Sequence, residues 1–192
     1  MSGSVSICNR ALISCGESQR IFSLDEETQA ARACKALYDD TRKSVLESHP
    51  WGFASKRVDL GGPVTDAPVV EFSHAYLLPV DCLRVVTVFD AQGQELENEE
   101  WEREGVKIVC NCGERIYIKY THDVADTNMF TQSFKEAFIL KLAADLSEIL
   151  VKQNSLSERL HGLYERKLRA AKSTSATEQS QKPYFKSQWG RR

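Results

Sequence analysis

ESHPWGFASKRVDL, Glu47 to Leu60, is the stretch where the chain changes period. Pro50 disfavours helical geometry at His49, so a helix arriving from the N-terminal side must stop there. Trp51 and Phe53 follow at once and place two large rings where a helix hands over to a strand. A buried corner is the preferred reading over an exposed anchor, because rings of this size gain most by leaving water.

Upstream of the corner the spacing is helical. Val5, Cys8, Leu12 and Cys15 recur on one face, and Gly16 is placed to end a helix of about Ser4 to Cys15 in a left-handed conformation. Ser23 and Glu26 have the spacing of a capping box, which opens a second helix over about 25–48. Ala30, Cys34, Leu37, Tyr38, Thr41 and Val45 trace its apolar face.

Downstream the period becomes two. FASKRVDL, LRVVTVFD, VKIVC and ERIYIKYT are rich in β-branched and aromatic residues, and Ile116, Ile118 and Tyr120 alternate with Tyr117 and Lys119. Asn111-Cys112-Gly113 reads as a turn between the last two strands. The expectation for 52–122 is an antiparallel sheet or a pair of hairpins.

The helical period returns over about 131–151, where Phe134, Phe138, Leu142, Leu146, Ile149 and Leu150 form a stripe. A second capping-box spacing, Ser155 and Glu158, opens a helix over about 155–172 with Leu156, Leu160, Leu163, Tyr164 and Leu168 on one face. Beyond Ala171 the stripe fails. The fold class expected is therefore α+β: a bundle of about four helices with an inserted antiparallel β region at about 52–122. Residues 1–172 form one domain, and 173–192 read as a linker or frayed helix followed by an extended tail.

That tail ends PYFKSQWGRR, Pro183 to Arg192, after the polar run KSTSATEQSQK. Segments too polar to join a core normally shed large aromatics. Tyr184, Phe185 and Trp189, with Arg191 and Arg192, therefore read as a docking peptide, against the plainer alternative of incidental aromatics on a disordered end.

Composition narrows the function. A chain of 192 residues with 42% hydrophobic content can bury a real core. A formal charge of -2 argues against a protein whose main work is gripping nucleic acid. MSGSVSICNRALISCG has no basic stretch followed by a long apolar run, and no segment approaches the roughly 20 apolar residues of a membrane span, so synthesis in cytoplasm and no membrane partner are expected. Six cysteines, Cys8, Cys15, Cys34, Cys82, Cys110 and Cys112, are too few for a disulfide scaffold in a chain this long, and most should serve as small core hydrophobes.

Chemistry finds little foothold. Cys110-x-Cys112 near His122 lacks the spacing and the second ligand pair of a structural zinc site and reads as two thiols at a hairpin turn. QELENEEWEREG sets Glu95, Glu97, Glu99, Glu100, Glu102 and Glu104 around Trp101. Paired carboxylates can cleave a glycoside when burial keeps one protonated, but a dense acidic run is usually a solvated face. No G-x-S-x-G, HExxH, P-loop or G-x-G-x-x-G is present. No catalytic residue, cofactor or metal is expected.

The order of features is more telling. CNRALISCGESQRIFSLDEETQAARACKALYDDTRKSVLESHPWGFA, Cys8 to Ala54, resembles the N-terminal region of the head-to-tail adaptor proteins of short-tailed phages, also called tail tubular protein A or portal-bound tail accessory factor. The likeness lies in a short helix ending ALxSxGE, a loop closing on SLD, a long helix with AAR and the W-x-F step. HAYLLPVDCLRV, His74 to Val85, is similar to the family's Y-x-LP-x-D-C-LR-V stretch. Together these cover about half the chain.

The resemblance implies a non-enzymatic virion protein at the head-to-tail interface. It would form a homo-oligomeric ring, a dodecamer, beneath the portal protein, give a platform to the tail nozzle or tube, and pass DNA through its lumen without specific contact. Pro183, Tyr184, Phe185, Trp189, Arg191 and Arg192 would lie along the portal. Glu97, Glu99, Glu100, Glu102 and Glu104 would face either the DNA in the lumen or a basic patch on the nozzle. The alternative from another class is a virion-associated peptidoglycan hydrolase using the acidic hairpin.

Overall fold

The computed structural model describes residues 3–65, 70–113 and 115–180. In chain order these form α1 (Gly3–Ser14), α2 (Gln29–Glu47), a 3-10 turn at Gly52–Ala54, β1 (Ser55–Gly61), β2 (His74–Leu77), β3 (Cys82–Phe89), β4 (Trp101–Glu104), β5 (Lys107–Cys110), β6 (Ile116–His122), α3 (Gln132–Leu150) and α4 (Asn154–Ser180). The architecture is α+β, four helices with a β-rich insert between the second and third. The tail residues Pro183, Tyr184, Phe185, Trp189, Arg191 and Arg192 lie outside the described residues.

α1 ends as its sequence requires. Gly16 sits at φ 84°, its N–H donates to Ile13 O at 3.1 Å, and Glu17 N–H reaches back to Leu12 O at 2.9 Å. This pair of bonds satisfies carbonyls the helix end would leave bare, and glycine takes the left-handed residue without a Cβ penalty.

α2 starts later than its capping-box spacing predicts. Thr28 is the N-cap, its Oγ1 accepting from Ala31 N–H at 3.1 Å. Ser23 and Glu26 do bond as a pair, with Glu26 Oε1 accepting from Ser23 N–H at 2.8 Å. That pair folds the loop before the helix. Only that half of the box forms, since Ser23 Oγ accepts from Asp25 N–H at 3.2 Å, and Thr28, next to the first helical residue, takes the cap.

The helical core is lined by Cys8, Leu12, Cys34, Val45, Leu46, Trp51, Phe134, Phe138, Leu142 and Leu146, among others. Trp51 is 1% exposed and donates its Nε1–H to Val45 O at 3.0 Å, so the corner is buried as expected. Its ring meets Phe134 edge-on at 5.2 Å, and Phe53 meets Phe134 at 5.0 Å. Phe130 and Phe138 extend the aromatic contacts. Offset and edge-to-face pairs of this kind add to area burial because ring edges and faces carry opposite partial charge.

Arg42 ties this core to the end of the insert. Its side chain is 4% exposed, pairs with Asp123 and with Asp39 at 3.2 Å, and donates to Val124 O at 2.7 Å. Burial disfavours its charge, but the bonds from Asp123 and Asp39 outweigh that and hold it above the usual guanidinium value.

The described strands form two antiparallel three-stranded sheets, ordered β1-β6-β3 and β2-β5-β4. Their facing sides enclose a second core of Tyr76, Val88, Ile108, Cys110, Ile116, Ile118 and Tyr120. The turn expected at Asn111-Cys112-Gly113 does not close a hairpin: β5 pairs with β2 and β4, while β6 lies between β1 and β3. The segment carries the chain from one sheet to the other, with Tyr76 Oη–H donating to Cys112 O and Asn111 Oδ1 accepting from Ser73 N–H at 2.9 Å.

Cys8, Cys15, Cys34 and Cys110 are buried free thiols, and Cys82 and Cys112 are half-buried. Contact with Cys34, together with burial, pushes the Cys8 thiol up, which keeps it protonated.

Two helix boundaries depart from expectation at the C-terminal side. α4 begins at Asn154, so Ser155 and Glu158 both lie inside it and no cap forms between them as its start. The stretch from residue 173, expected as a linker or frayed helix, is helix as far as Ser180. Ala171 and Ser175 are buried there, and Gln179 Nε2–H donates to Pro50 O at 2.6 Å.

Candidate assembly surfaces

The acidic hairpin begins where β3 ends. Asp90 Oδ1 accepts from Gln92 and Gln94 N–H at 2.9 and 2.7 Å, and Gly93 takes φ 80°, so the chain reverses tightly. Leu96 N–H donates to Val88 O at 2.9 Å and packs on the second core. Glu97 N–H then donates to Glu100 Oε2 at 2.7 Å, closing a second turn before β4.

On β4, Trp101 and Arg103 pair with Cys110 and Ile108, while Glu102 and Glu104 alternate to the other face opposite Val109 and Lys107. Trp101 packs on the core, and Arg103 Nη1–H donates to Leu83 O at 2.8 Å. Gly105 turns the hairpin at φ 59°.

Glu97, Glu99, Glu100, Glu102 and Glu104 are all exposed. None forms a salt bridge among the described residues. Glu95, Glu97 and Glu99 line an open cleft of about 600 Å³ with Leu96 and Asn98. The hairpin thus brings the five carboxylates onto one projection, in water.

Three exposed apolar residues accompany it. Val106 follows the turn at 67% exposure, Leu77 is 54% exposed at the end of β2, and Val80 is fully exposed in the loop to β3. Leu78 N–H donates to Val106 O at 2.9 Å, so that loop and the hairpin turn are neighbours. The sequence gives no sign of these residues, because isolated apolar residues carry no positional signal.

Compared with protein-family models and with curated proteins, the chain has no match.

Asp81 stands at the centre of the HAYLLPVDCLRV stretch. It accepts from Lys56 Nζ at 2.8 Å and from Tyr120 Oη–H at 3.0 Å, while its carbonyl accepts from Asp123 N–H at 2.8 Å. Partial burial pushes its carboxyl up, but the bonds from Lys56 and Tyr120 prevail and hold it below the usual carboxylate range. These contacts join β1, β6 and the segment leading to α3 at one point.

His122 engages Ala54 O through its Nδ1 at 2.8 Å. Among the described residues no three His, Cys, Asp or Glu side chains are grouped to hold a metal ion, and no helix is long and apolar enough to cross a membrane.

A separate pocket lies on the helical side, and no motif in the sequence marks it. α1, α3 and the loop before α3 surround about 230 Å³ lined by Ser6, Arg10, Asn128, Gln132 and Lys135, with Ile7 and Ile139 as apolar lining. Gly3 makes the close approach possible: a Cβ there would fall 1.9 Å from Thr127 Oγ1. Arg10 and Lys135 lie far apart in sequence, and only the packing of α1 on α3 brings them together.

Proposed function

We propose that the chain is a head-to-tail adaptor of a tailed phage, non-enzymatic, forming a dodecameric ring under the portal and offering a platform to the tail nozzle or tube. The observation that carries the reading is the position of the resembling residues. Gly16 ends α1, Trp51 fills the corner into β1, and Asp81 joins three segments of the insert. In this reading Cys8–Ala54 and His74–Val85 hold the helices to the insert, which leaves the hairpin and the C-terminal segment for partners.

The exposed hairpin supports assembly over hydrolysis. A glycosidase acid is kept protonated by burial, whereas Glu97, Glu99, Glu100, Glu102 and Glu104 stand in solvent. The tail supports portal docking. α4 is fastened beside Pro50 at Gln179, and the sequence after it supplies Tyr184, Phe185, Trp189 and two arginines, residue types that concentrate binding energy. Repeated round a ring, weak contacts of this kind sum to tight attachment.

The test is binding of the full chain to its portal ring, compared with a version ending at Gln181, followed by sedimentation and imaging. Symmetric decoration by the full chain and none by the truncation is the expected result. Equal binding by both removes the role of the tail; no binding by the full chain overturns the adaptor reading.

A further inference from the structure

We infer that the pocket between α1 and α3 is the seat for the acidic hairpin of a second copy of this chain. The inference deepens the adaptor reading by naming the contact between neighbouring subunits, and it rests on that reading for the ring.

The pocket is built from donors. Arg10 and Lys135 supply two positive charges, and Ser6, Asn128 and Gln132 supply hydroxyl and amide groups. No acidic residue lines it. Glu136 on α3 feels the Arg10 charge but is already engaged by Lys167 of α4 at 2.9 Å and by Gln132 Nε2–H at 3.4 Å. Neither Arg10 nor Lys135 has a salt-bridge partner among the described residues.

The same chain carries five exposed carboxylates on one projecting hairpin, none with a salt-bridge partner among the described residues, although Glu100 accepts from Glu97 N–H. No hairpin residue lines the pocket, and the two features belong to different cores, so the pairing calls for another molecule. Apolar exposure matches as well. Val106 and Val80 accompany the hairpin, while Ile13, one turn beyond Arg10, is 56% exposed and Met129, beside Asn128, is 53% exposed. A nucleic-acid backbone would satisfy the charges and leave those apolar residues in water; a protein hairpin covers both.

Such a contact uses two different patches, one from each partner. It is heterologous, the class that yields closed rings when the rotation between copies closes and open chains when it does not. Complementary charge also sets register, because a like-charged neighbour is penalised.

The test uses the full chain and two charge-reversed forms. One carries Arg10→Glu with Lys135→Glu, the other Glu99→Lys with Glu102→Lys. Self-association of each form alone is expected to weaken more than tenfold, and a 1:1 mixture is expected to regain it, since each then offers what the other lacks. Carbodiimide coupling of the unaltered, concentrated chain is expected to join Lys135 to a glutamate between 97 and 104 of another copy.

Both altered forms associating like the parent, a mixture that does not recover, or coupling confined to other residues overturns the inference. Portal decoration by the same proteins separates the two readings. If the altered forms still close into rings on the portal, the pocket assignment falls and the adaptor survives. If the parent ignores the portal yet couples through Lys135, the reverse holds. A parent that is monomeric both free and with the portal overturns both.

Discussion

Arg42 concentrates more of the fold's polar bonding than any other side chain in the helical core. Its guanidinium serves Asp123, Asp39 and Val124 O from a site 3% exposed. Arg42→Ala strands Asp123 and a buried carbonyl, and the expected cost is about 3 kcal/mol, read as a lower denaturant midpoint. Arg42→Lys recovers less than half of it, because an ammonium cannot reproduce the fork.

His49 gives a pH signature at the same scale. Burial, together with the nearby charges of Lys172 and Arg84, holds its imidazole below the ordinary value of 6.5. The unfolded chain therefore takes up the proton first. The stability contributed by neutral His49 is present above pH 6.5 and is lost as pH falls through the lower folded value. Thermal melts of His49→Gln between pH 7.5 and 5 are expected to show a shallower acid decline than the parent. The charge relations of both residues escape sequence reading, since nothing in the spacing of His49, Lys172 and Arg84 announces that they meet.

At the level of elements, helix ends distinguish what spacing can and cannot tell. Thr28→Ala is expected to cost about 1 kcal/mol of stability, and Ser23→Ala much less, because only Thr28 caps α2. Lys152 follows α3 at φ 54°, a left-handed conformation that penalises a side chain. Lys152→Gly should raise the denaturant midpoint by the equivalent of about 1 kcal/mol.

Periodicity made α1, α3 and the strands β1, β3, β5 and β6 legible. β2 and β4 were not, being four residues each, and β4 reads Trp-Glu-Arg-Glu. The last turns of α4 were missed for a different reason: Leu168, Ala171 and Ser175 keep the helical spacing, but the buried stripe narrows to small residues that a hydropathy pattern does not register. The hairpin carboxylates were legible as a run, whereas the Arg10 and Lys135 pocket depends on a contact between helices more than a hundred residues apart.

For the whole molecule, the end of α4 matters as a brace on the corner. A chain ending at Lys172 loses the burial of Ser175 and the bond from Gln179 to Pro50 O, and its thermal midpoint is expected to fall by about 4 °C, on the basis of about 1–2 kcal/mol in a chain of this size. Scanning calorimetry decides it; an unchanged midpoint means the brace contributes nothing. The arrangement of two cores also fixes an order of events during synthesis. Every residue of the β core lies between Val58 and Tyr120, so the insert has all its partners while α3 and α4 are still unmade. Ala30, Cys34 and Val45 on α2 must wait for them. At ribosomal rates of about 5–20 residues per second, making the stretch from Thr121 to Ser180 leaves that face uncovered for about 3–12 seconds. The newborn chain is thus most vulnerable to misassociation at its N-terminal helices, with the interrupting segment already closed.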